Sequence, residues 1–264
     1  MASADSHKQA AGNDPTSSRI RYLETTAAYD LWSEVYDTDE NFLQALDNLE
    51  MQTLLPQFLS QITTNPPPWK LVDMGCGTGR NTLKLLPLPG STVIGLDASP
   101  KMLEIARGRI ESEMNAHPPD HKVQHVEFEV YDLIRDSRMP ASAANADAVI
   151  STLVLEHVPI GAFFAASSKM LKPGGSLLVT NMHSEMGGIS QAGFVDPKTG
   201  EKIRPQSYAH QPGDVVNEAK RHGFEVIGEP LERAVDQRTS ELLGPRAKKW
   251  IGITVWFGIC FRKQ

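Results

Sequence analysis

The sequence predicts an α/β fold in which a mostly parallel sheet carries helices on both faces. Three observations carry this reading. Short apolar segments bounded by turn residues alternate with helical patterns between residues 70 and 181, the signature of strand–helix units wound into a parallel sheet. Gly75, Gly77 and Gly79 follow directly on the first apolar segment and precede a helical pattern. A late apolar run, residues 250–261, has no helix after it, which suits an antiparallel strand added to the sheet.

The elements follow in order. Residues 1–19 are small, polar and aperiodic, so a disordered tail is expected. Residues 20–59 look helical: Tyr29, Trp32, Val35 and Tyr36 recur at helical spacing, as do Leu43, Leu46, Leu49, Leu54 and Leu55. Residues 20–65 therefore read as an N-terminal helical cap. Asn65-Pro66-Pro67-Pro68 is a stiff extended break, and residues 66–264 form the main domain. Within it, residues 70–74 and 91–96 are strands flanking a short helix at 80–86. Ser99 caps the next helix with Pro100 in its first turn, and that helix fades near His117. Strands are expected at 123–131, 146–151 and 176–181, with a helix at 160–171 and a turn at 172–175. Residues 182–210 have little periodicity, and a loop of that length in a compact domain is usually functional, such as a lid over a substrate. A helix at 211–222, stopped by Gly223, precedes strands at 224–228 and 250–261.

Bulk properties narrow the class. The chain has 264 residues and a net charge of −6, which argues against a nucleic-acid-binding surface. Cys76 and Cys260 lie far apart without metal-site spacing, and read as free thiols of a reducing compartment. No apolar run reaches membrane-spanning length, and the N-terminus lacks a secretory pattern. Cytoplasm is the expected location, with no membrane or nucleic-acid partner. Oligomeric state is not legible.

The glycine loop carries the chemistry. Glycines allow a tight turn and close ligand approach, and the following helix offers free N–H groups. The spacing here is G-x-G-x-G, which matches neither the dinucleotide nor the phosphate-loop pattern. Asp73 stands just before the loop, a poor neighbour for a pyrophosphate but a tolerable one for a sulfonium ligand bearing a free amino group. The second strand ends at Asp97, where a carboxylate can accept both ribose hydroxyls. The third ends at Tyr131-Asp132-Leu133, where an acid can accept an adenine amino group. All of these groups sit at carboxyl ends of predicted strands, where open α/β sheets bind ligands.

With those segments in view, the chain resembles the class I S-adenosylmethionine-dependent methyltransferases. It looks closest to the small-molecule branch that includes the ubiquinone and menaquinone biosynthesis enzymes. VDMGCGTGR, GLDASPKML, YDL, STLVLEHV and LKPGGSLLVTN carry the resemblance, which spans about residues 29–261. It implies a Rossmann-like doubly wound seven-stranded sheet with an antiparallel C-terminal strand, and S-adenosyl-L-methionine as cofactor. It further implies that Asp73, Gly75, Gly77 and Gly79 form the loop under the methionine part, and that Asp97 holds the ribose. Ala98 and Met102 would lie near the adenine, Asp132 and Leu133 against it, and Thr152 and Leu153 beside the sulfur. Tyr29, Trp32 and Tyr36, followed by Asp37, resemble an aromatic segment covering the cofactor in related enzymes. An amphipathic helix packing its aromatics on the domain would look the same.

For catalysis, Tyr36, His157 and His183 are the candidates. His157 follows the fourth strand and could act as a base, or serve a structural role beside the cofactor. His183 follows the fifth strand, and with His210 it could be a base or a solvated loop histidine. No metal site is expected. Arg204 could pair with an anionic acceptor or sit exposed. The run beginning at Asn65 resembles an Asn-Pro-Pro-aromatic methylation motif, but it precedes the first strand of the main domain, and Ser151-Thr152-Leu153-Val154 fills the place where that motif would act. The expected reaction is methyl transfer to a small molecule, with oxygen favoured on general frequency. A cofactor-binding regulator without activity is the alternative, and an aminopropyltransferase is disfavoured by Asp73.

Overall fold

The computed structural model describes residues 20–63, 65–117 and 123–264. The tail expected at 1–19 lies outside the described residues. The described chain opens with β1 (Ile20–Tyr22), α1 (Thr25–Trp32) and α2 (Phe42–Ile62). β2 (Trp69–Met74), β3 (Ser91–Asp97), α3 (Pro100–Ala116), β4 (His125–Val130) and β5 (Ala146–Thr152) follow. Next come α4 (Ile160–Met170), β6 (Leu171–Met182), α5 (Ser184–Ile189), β7 (Phe194–Val195) and β8 (Lys202–Arg204). The chain finishes with α6 (Pro212–Arg221), β9 (Phe224–Ala234), α7 (Gln237–Leu243) and β10 (Thr254–Lys263).

Seven strands form the main sheet in the order β4-β3-β2-β5-β6-β10-β9. β2 pairs parallel with β3 and β5, β3 with β4, and β5 with β6. β10 runs antiparallel to both β6 and β9, as expected for the C-terminal strand. Each central strand feeds both cores because successive side chains point to opposite faces. Leu71, Val93, Ile150, Leu178 and Trp256 pack with Leu54 and Phe58 of α2 on one face. Val72, Ile94, Val149, Leu177 and Phe257 pack with Phe163 of α4 and Val215 of α6 on the other. Helix α2 thus packs into the main core.

Several boundaries differ from expectation, each for a local reason. Residues 20–22 form a strand because they pair with β8 (Ile20↔Lys202, Tyr22↔Arg204), in a small sheet ordered β1-β8-β7. The helical pattern breaks after Trp32. Its indole N–H donates to Asp39 Oδ2 at 2.8 Å, while Asn41 Oδ1 accepts from the Leu43 and Gln44 N–H groups and starts α2 afresh. The helix expected at 80–86 is a 3₁₀ turn, Thr82–Leu85. The turn expected at 172–175 lies within β6, where a register irregularity between Ala146 and Ala148 absorbs it. The segment 182–210 is no bare loop, since it holds α5, β7 and β8. Trp250 belongs to a 3₁₀ turn, Pro245–Trp250, where it stacks on Phe42 at 5.8 Å.

Candidate active site

The carboxyl ends of β2, β3, β4 and β5 converge on one cavity. Its walls include Gly75, Gly77, Asp97, Ala98, Asp132, Leu133, Thr152 and Leu153, with Tyr29, Tyr36 and His157 above them. The parallel winding explains this convergence, since each strand ends on the same side before its crossover.

The loop after β2 is shaped by backbone contacts. The N–H groups of Gly75 and Cys76 both donate to the Leu96 carbonyl, at 2.7 and 2.9 Å. Gly75 adopts φ +75°, and a Cβ there would stand 2.2 Å from Val154 Cγ2, so no larger residue fits. Gly77 differs: a Cβ there would meet no protein atom within 4 Å. Its bare backbone lines open space of the kind a ligand fills.

Asp97 binds the loop and faces the cavity. Gly77 N–H donates to its Oδ2 and Ser99 N–H to its Oδ1, both at 2.8 Å. Each oxygen retains a further lone pair, so the carboxylate can still accept two ribose hydroxyls. Burial lifts its pKa to about 6, opposed by those two backbone donors, with Asp30 adding a like charge. Asp132 Oδ1 accepts the Ile134 and Arg135 N–H groups at 2.8 and 3.2 Å, which curls this segment along the cavity rim.

Asp73, Gly79 and Met102 do not line this cavity. Asp73 is 1% exposed and accepts from Thr82 Oγ1 at 2.6 Å, tying the end of β2 to the 3₁₀ turn behind the loop. Burial raises its pKa to about 6. Gly79 lies against Ala106 of α3, and Met102 packs with Ala28 and Trp32. These three shape the loop and the α1–α3 junction from behind.

Over the cavity, Tyr29, Trp32 and Tyr36 form one aromatic cluster, with Trp32 and Tyr36 edge-to-face at 5.3 Å. Phe194 of β7 stacks on Trp32 at 5.1 Å, joining the 182–210 segment to α1. Helix α1 is locked down because Ser99 Oγ donates to Asp30 Oδ1 at 2.6 Å while accepting from Met102 N–H at 3.1 Å. Thr78 Oγ1 likewise donates to Asp37 Oδ1 at 3.0 Å, and Arg109 pairs with the same carboxylate. Asp30, Thr78 and Arg109 were missed in the sequence because nothing in their spacing connects residues tens of positions apart.

His157 is buried, and its Nδ1 lies 2.8 Å from the Gln206 carbonyl. A carbonyl only accepts, so Nδ1 carries the proton and Nε2 accepts from Tyr29 Oη at 2.7 Å. Burial pulls the imidazole pKa down to about 4 against the Gln206 bond, and burial pushes the Tyr29 phenol well up. The pair is neutral around pH 7, and the hydrogen bond holds the Tyr29 phenol against the His157 ring. His183 lines neither this cavity nor the next. Its Nδ1 accepts from Glu185 N–H at 3.1 Å, capping α5, and its Nε2 lies 3.4 Å from Glu232. Expected as a catalytic candidate, His183 is engaged here as the N-terminal cap of α5 and stands outside both cavities.

A second cavity adjoins the first and shares Tyr29, Tyr36 and Leu153 with it. Leu153 adopts φ +57°, a left-handed backbone uncommon for such a residue and often found at functional sites. Its N–H donates to the Thr180 carbonyl at 2.9 Å. Beneath these residues lies a buried network. Arg80 reaches Asp47 Oδ2 at 2.8 Å, Thr180 Oγ1 and Trp256 Nε1 donate to Asp47 Oδ1 at 2.5 and 3.0 Å, and Asn81 Nδ2 donates to Thr152 Oγ1 at 2.8 Å. It fixes the end of β5 against α2 and the glycine loop.

Comparison with known proteins agrees with this architecture. The family described as methyltransferase domain matches residues 71–175. An uncharacterized methyltransferase of Emericella nidulans is 49% identical over 275 aligned positions, covering 94% of this chain and 95% of that protein. The chain belongs to the class I S-adenosylmethionine-dependent methyltransferases, and its cofactor is S-adenosyl-L-methionine. A mitochondrial ubiquinone biosynthesis O-methyltransferase of Dictyostelium discoideum is 29% identical over 119 residues, covering 43% of this chain and 35% of that protein. Among solved structures, the cyclase SpnF matches with a TM-score of 0.61 at 18% identity, over 93% of this chain and 99% of that one. The DhpI complex matches with a TM-score of 0.54 at 18% identity, over 90% and 94%. Likeness at that identity speaks to the fold alone. Among the described residues, no helix is long and apolar enough to cross a membrane.

Proposed function

We propose that the chain transfers a methyl group to an oxygen of a small-molecule acceptor held in the second cavity. The observation that carries this is the shared wall: Tyr29, Tyr36 and Leu153 face both cavities, so an occupant of one abuts an occupant of the other. When bound, the cofactor supplies a methyl group activated on a positively charged sulfur and leaves as S-adenosylhomocysteine. In this reading Asp97 accepts from the ribose, Asp132 and Leu133 contact the adenine with Ala98, and the backbone at Gly75 and Gly77 lies under the methionine part. Thr152 and Leu153 stand at the sulfur end.

The protein's own work is alignment and exclusion of water, which supply much of the rate in displacements at an activated carbon. Tyr29, held by His157, and Tyr36 close the top, and aromatic faces suit a sulfonium charge. Burial keeps the Tyr36 phenol protonated, with Arg80 partly opposing that effect, so its O–H can donate to the acceptor oxygen and orient it. The 182–210 segment contributes Met182, Met186, Gln191 and Lys202 to the second cavity, which is the placement expected of a substrate lid. The test is to incubate the full chain with methyl-labelled cofactor and a low-molecular-weight metabolite extract. Label is expected in methyl ethers or esters of small molecules. Label confined to protein or nucleic acid, or cofactor bound tightly with no turnover on any acceptor, would overturn the reading.

A further inference from the structure

The second cavity is unevenly charged. Lys202, Arg246 and Lys249 line it, and the one acid among its walls is Glu156. Among the described residues, neither Lys202 nor Lys249 is ion-paired; Lys249 lies over the Trp250 ring at 5.0 Å. Arg246 gives one N–H to the Asp39 backbone carbonyl, and its charge also acts on the Asp39 carboxylate, whose oxygens accept from Trp32 Nε1 and the Asn41 N–H. The Lys202 ammonium is held below its usual range by burial first, then by repulsion from Arg204, Lys249 and Arg246. Three like charges around one cavity, two of them without an ion-pair partner, are costly unless something of opposite sign joins them.

The cavity also presents polar atoms with no protein partner. Glu156 is 3% exposed, and its Oε2 has no hydrogen-bond partner, nor does the buried Oε1 of Gln191. Burial pushes the Glu156 carboxyl up to about 8, with the charge of Asp47 adding to the effect. At pH 7 the group is mostly a neutral acid, so it does not cancel the cations and it offers an O–H donor. Phe42, Leu43, Met186 and Trp250 add apolar wall to the same cavity.

We propose that the methyl acceptor is a small, partly apolar molecule bearing an anionic group, which Lys202, Arg246 and Lys249 anchor at the end away from the cofactor. The three cations line only the second cavity, whereas Tyr29, Tyr36 and Leu153 form its boundary with the first. The anion is therefore the handle, and the methylated oxygen is presented at the aromatic boundary. This inference rests on the second cavity being the acceptor site.

The full chain, saturated with S-adenosylhomocysteine, is titrated calorimetrically with a panel of small aryl and alkyl carboxylates and phosphate monoesters. Each is paired with its uncharged amide or alcohol. At least one anion is expected to bind about tenfold or more tighter than its neutral partner, and the panel tells carboxylate from phosphate. Lys202→Met combined with Lys249→Met is expected to reduce that preference to about threefold or less. Lys202→Arg with Lys249→Arg should retain it, and thermal melts establish that both variants fold. Equal or better binding by neutral members, a preference that survives the double Met variant, or no binding by any anion would overturn the proposal. If neutral members bind while anions do not, the acceptor-site reading stands and the anionic handle falls. If no panel member of either class binds, both fall.

Discussion

Replacing Glu156 by Gln tests the buried carboxyl without removing its shape. Glu156 ionises near 4.5 when free, and burial raises this to about 8. A folded acid with a raised pKa binds more protons than the unfolded chain, so its contribution makes stability fall as pH rises through that window. Below pH 4.5 both states are neutral and the group costs nothing by this route. At pH 5 the cost is about 1 kcal/mol, at pH 7 about 3 kcal/mol, and above pH 8 it levels off near 5 kcal/mol. Glutamine does not titrate, so it escapes this cost while keeping a polar donor in the cavity. Glu156→Gln should therefore be more stable than the natural chain at pH 7, with an advantage about 2 kcal/mol larger than at pH 5. Urea unfolding of both cofactor-free proteins at pH 5, 6 and 7 measures it. The carboxyls of Asp73 and Asp97, also raised to about 6, titrate in both proteins and cancel in the comparison. A difference independent of pH, or one that shrinks as pH rises, would refute the buried neutral acid.

Other substitutions probe the remaining parts. Asp97→Asn removes a charge-assisted acceptor from the proposed ribose site and leaves one oxygen for the two backbone donors of Gly77 and Ser99; it should weaken S-adenosylhomocysteine binding by about tenfold to a hundredfold and lower the melting temperature by a few degrees, and calorimetric titration with unaltered affinity would exclude the assignment. Gly75→Ala combines a left-handed backbone with a Cβ 2.2 Å from Val154 Cγ2, so thermal or urea denaturation should show about 1–3 kcal/mol lost. Adding Val154→Ala should recover the steric part and leave the backbone part. Asp47→Ala leaves the Arg80 charge unpaired and strips the acceptor from Thr180 and Trp256. A loss of about 3–5 kcal/mol is expected in urea denaturation, and a loss under 1 kcal/mol would show that the network is dispensable.

Much of this protein is legible along the chain because the relevant physics is local. The run 71–80 declares itself through a buried strand, bare backbone and a following turn, all within ten residues. Ser99 and Pro100 announce a helix start by capping chemistry alone. Asp97 and Asp132 are found by their place at strand ends. Local pattern also misleads: the helical spacing around Tyr29 runs on through Tyr36, yet Asp39 captures the Trp32 indole and ends the helix early. Residues 20–22 read as helix because the partner that makes them a strand, β8, lies about 180 residues away.

The sequence by itself therefore determined the winding of the sheet, the family and the cofactor, since each rests on residues adjacent in the chain or at strand ends. Only the tertiary structure decided which side chains face the cofactor cavity and which stand behind it. Burial turned Asp73 away to Thr82 and drew the His157–Tyr29 pair together across 128 positions. It also gathered Glu156, Lys202, Arg246 and Lys249, from three separate segments, around one second cavity. Burial and proximity between distant segments set pKa and charge balance, and neither exists until the chain has closed on itself.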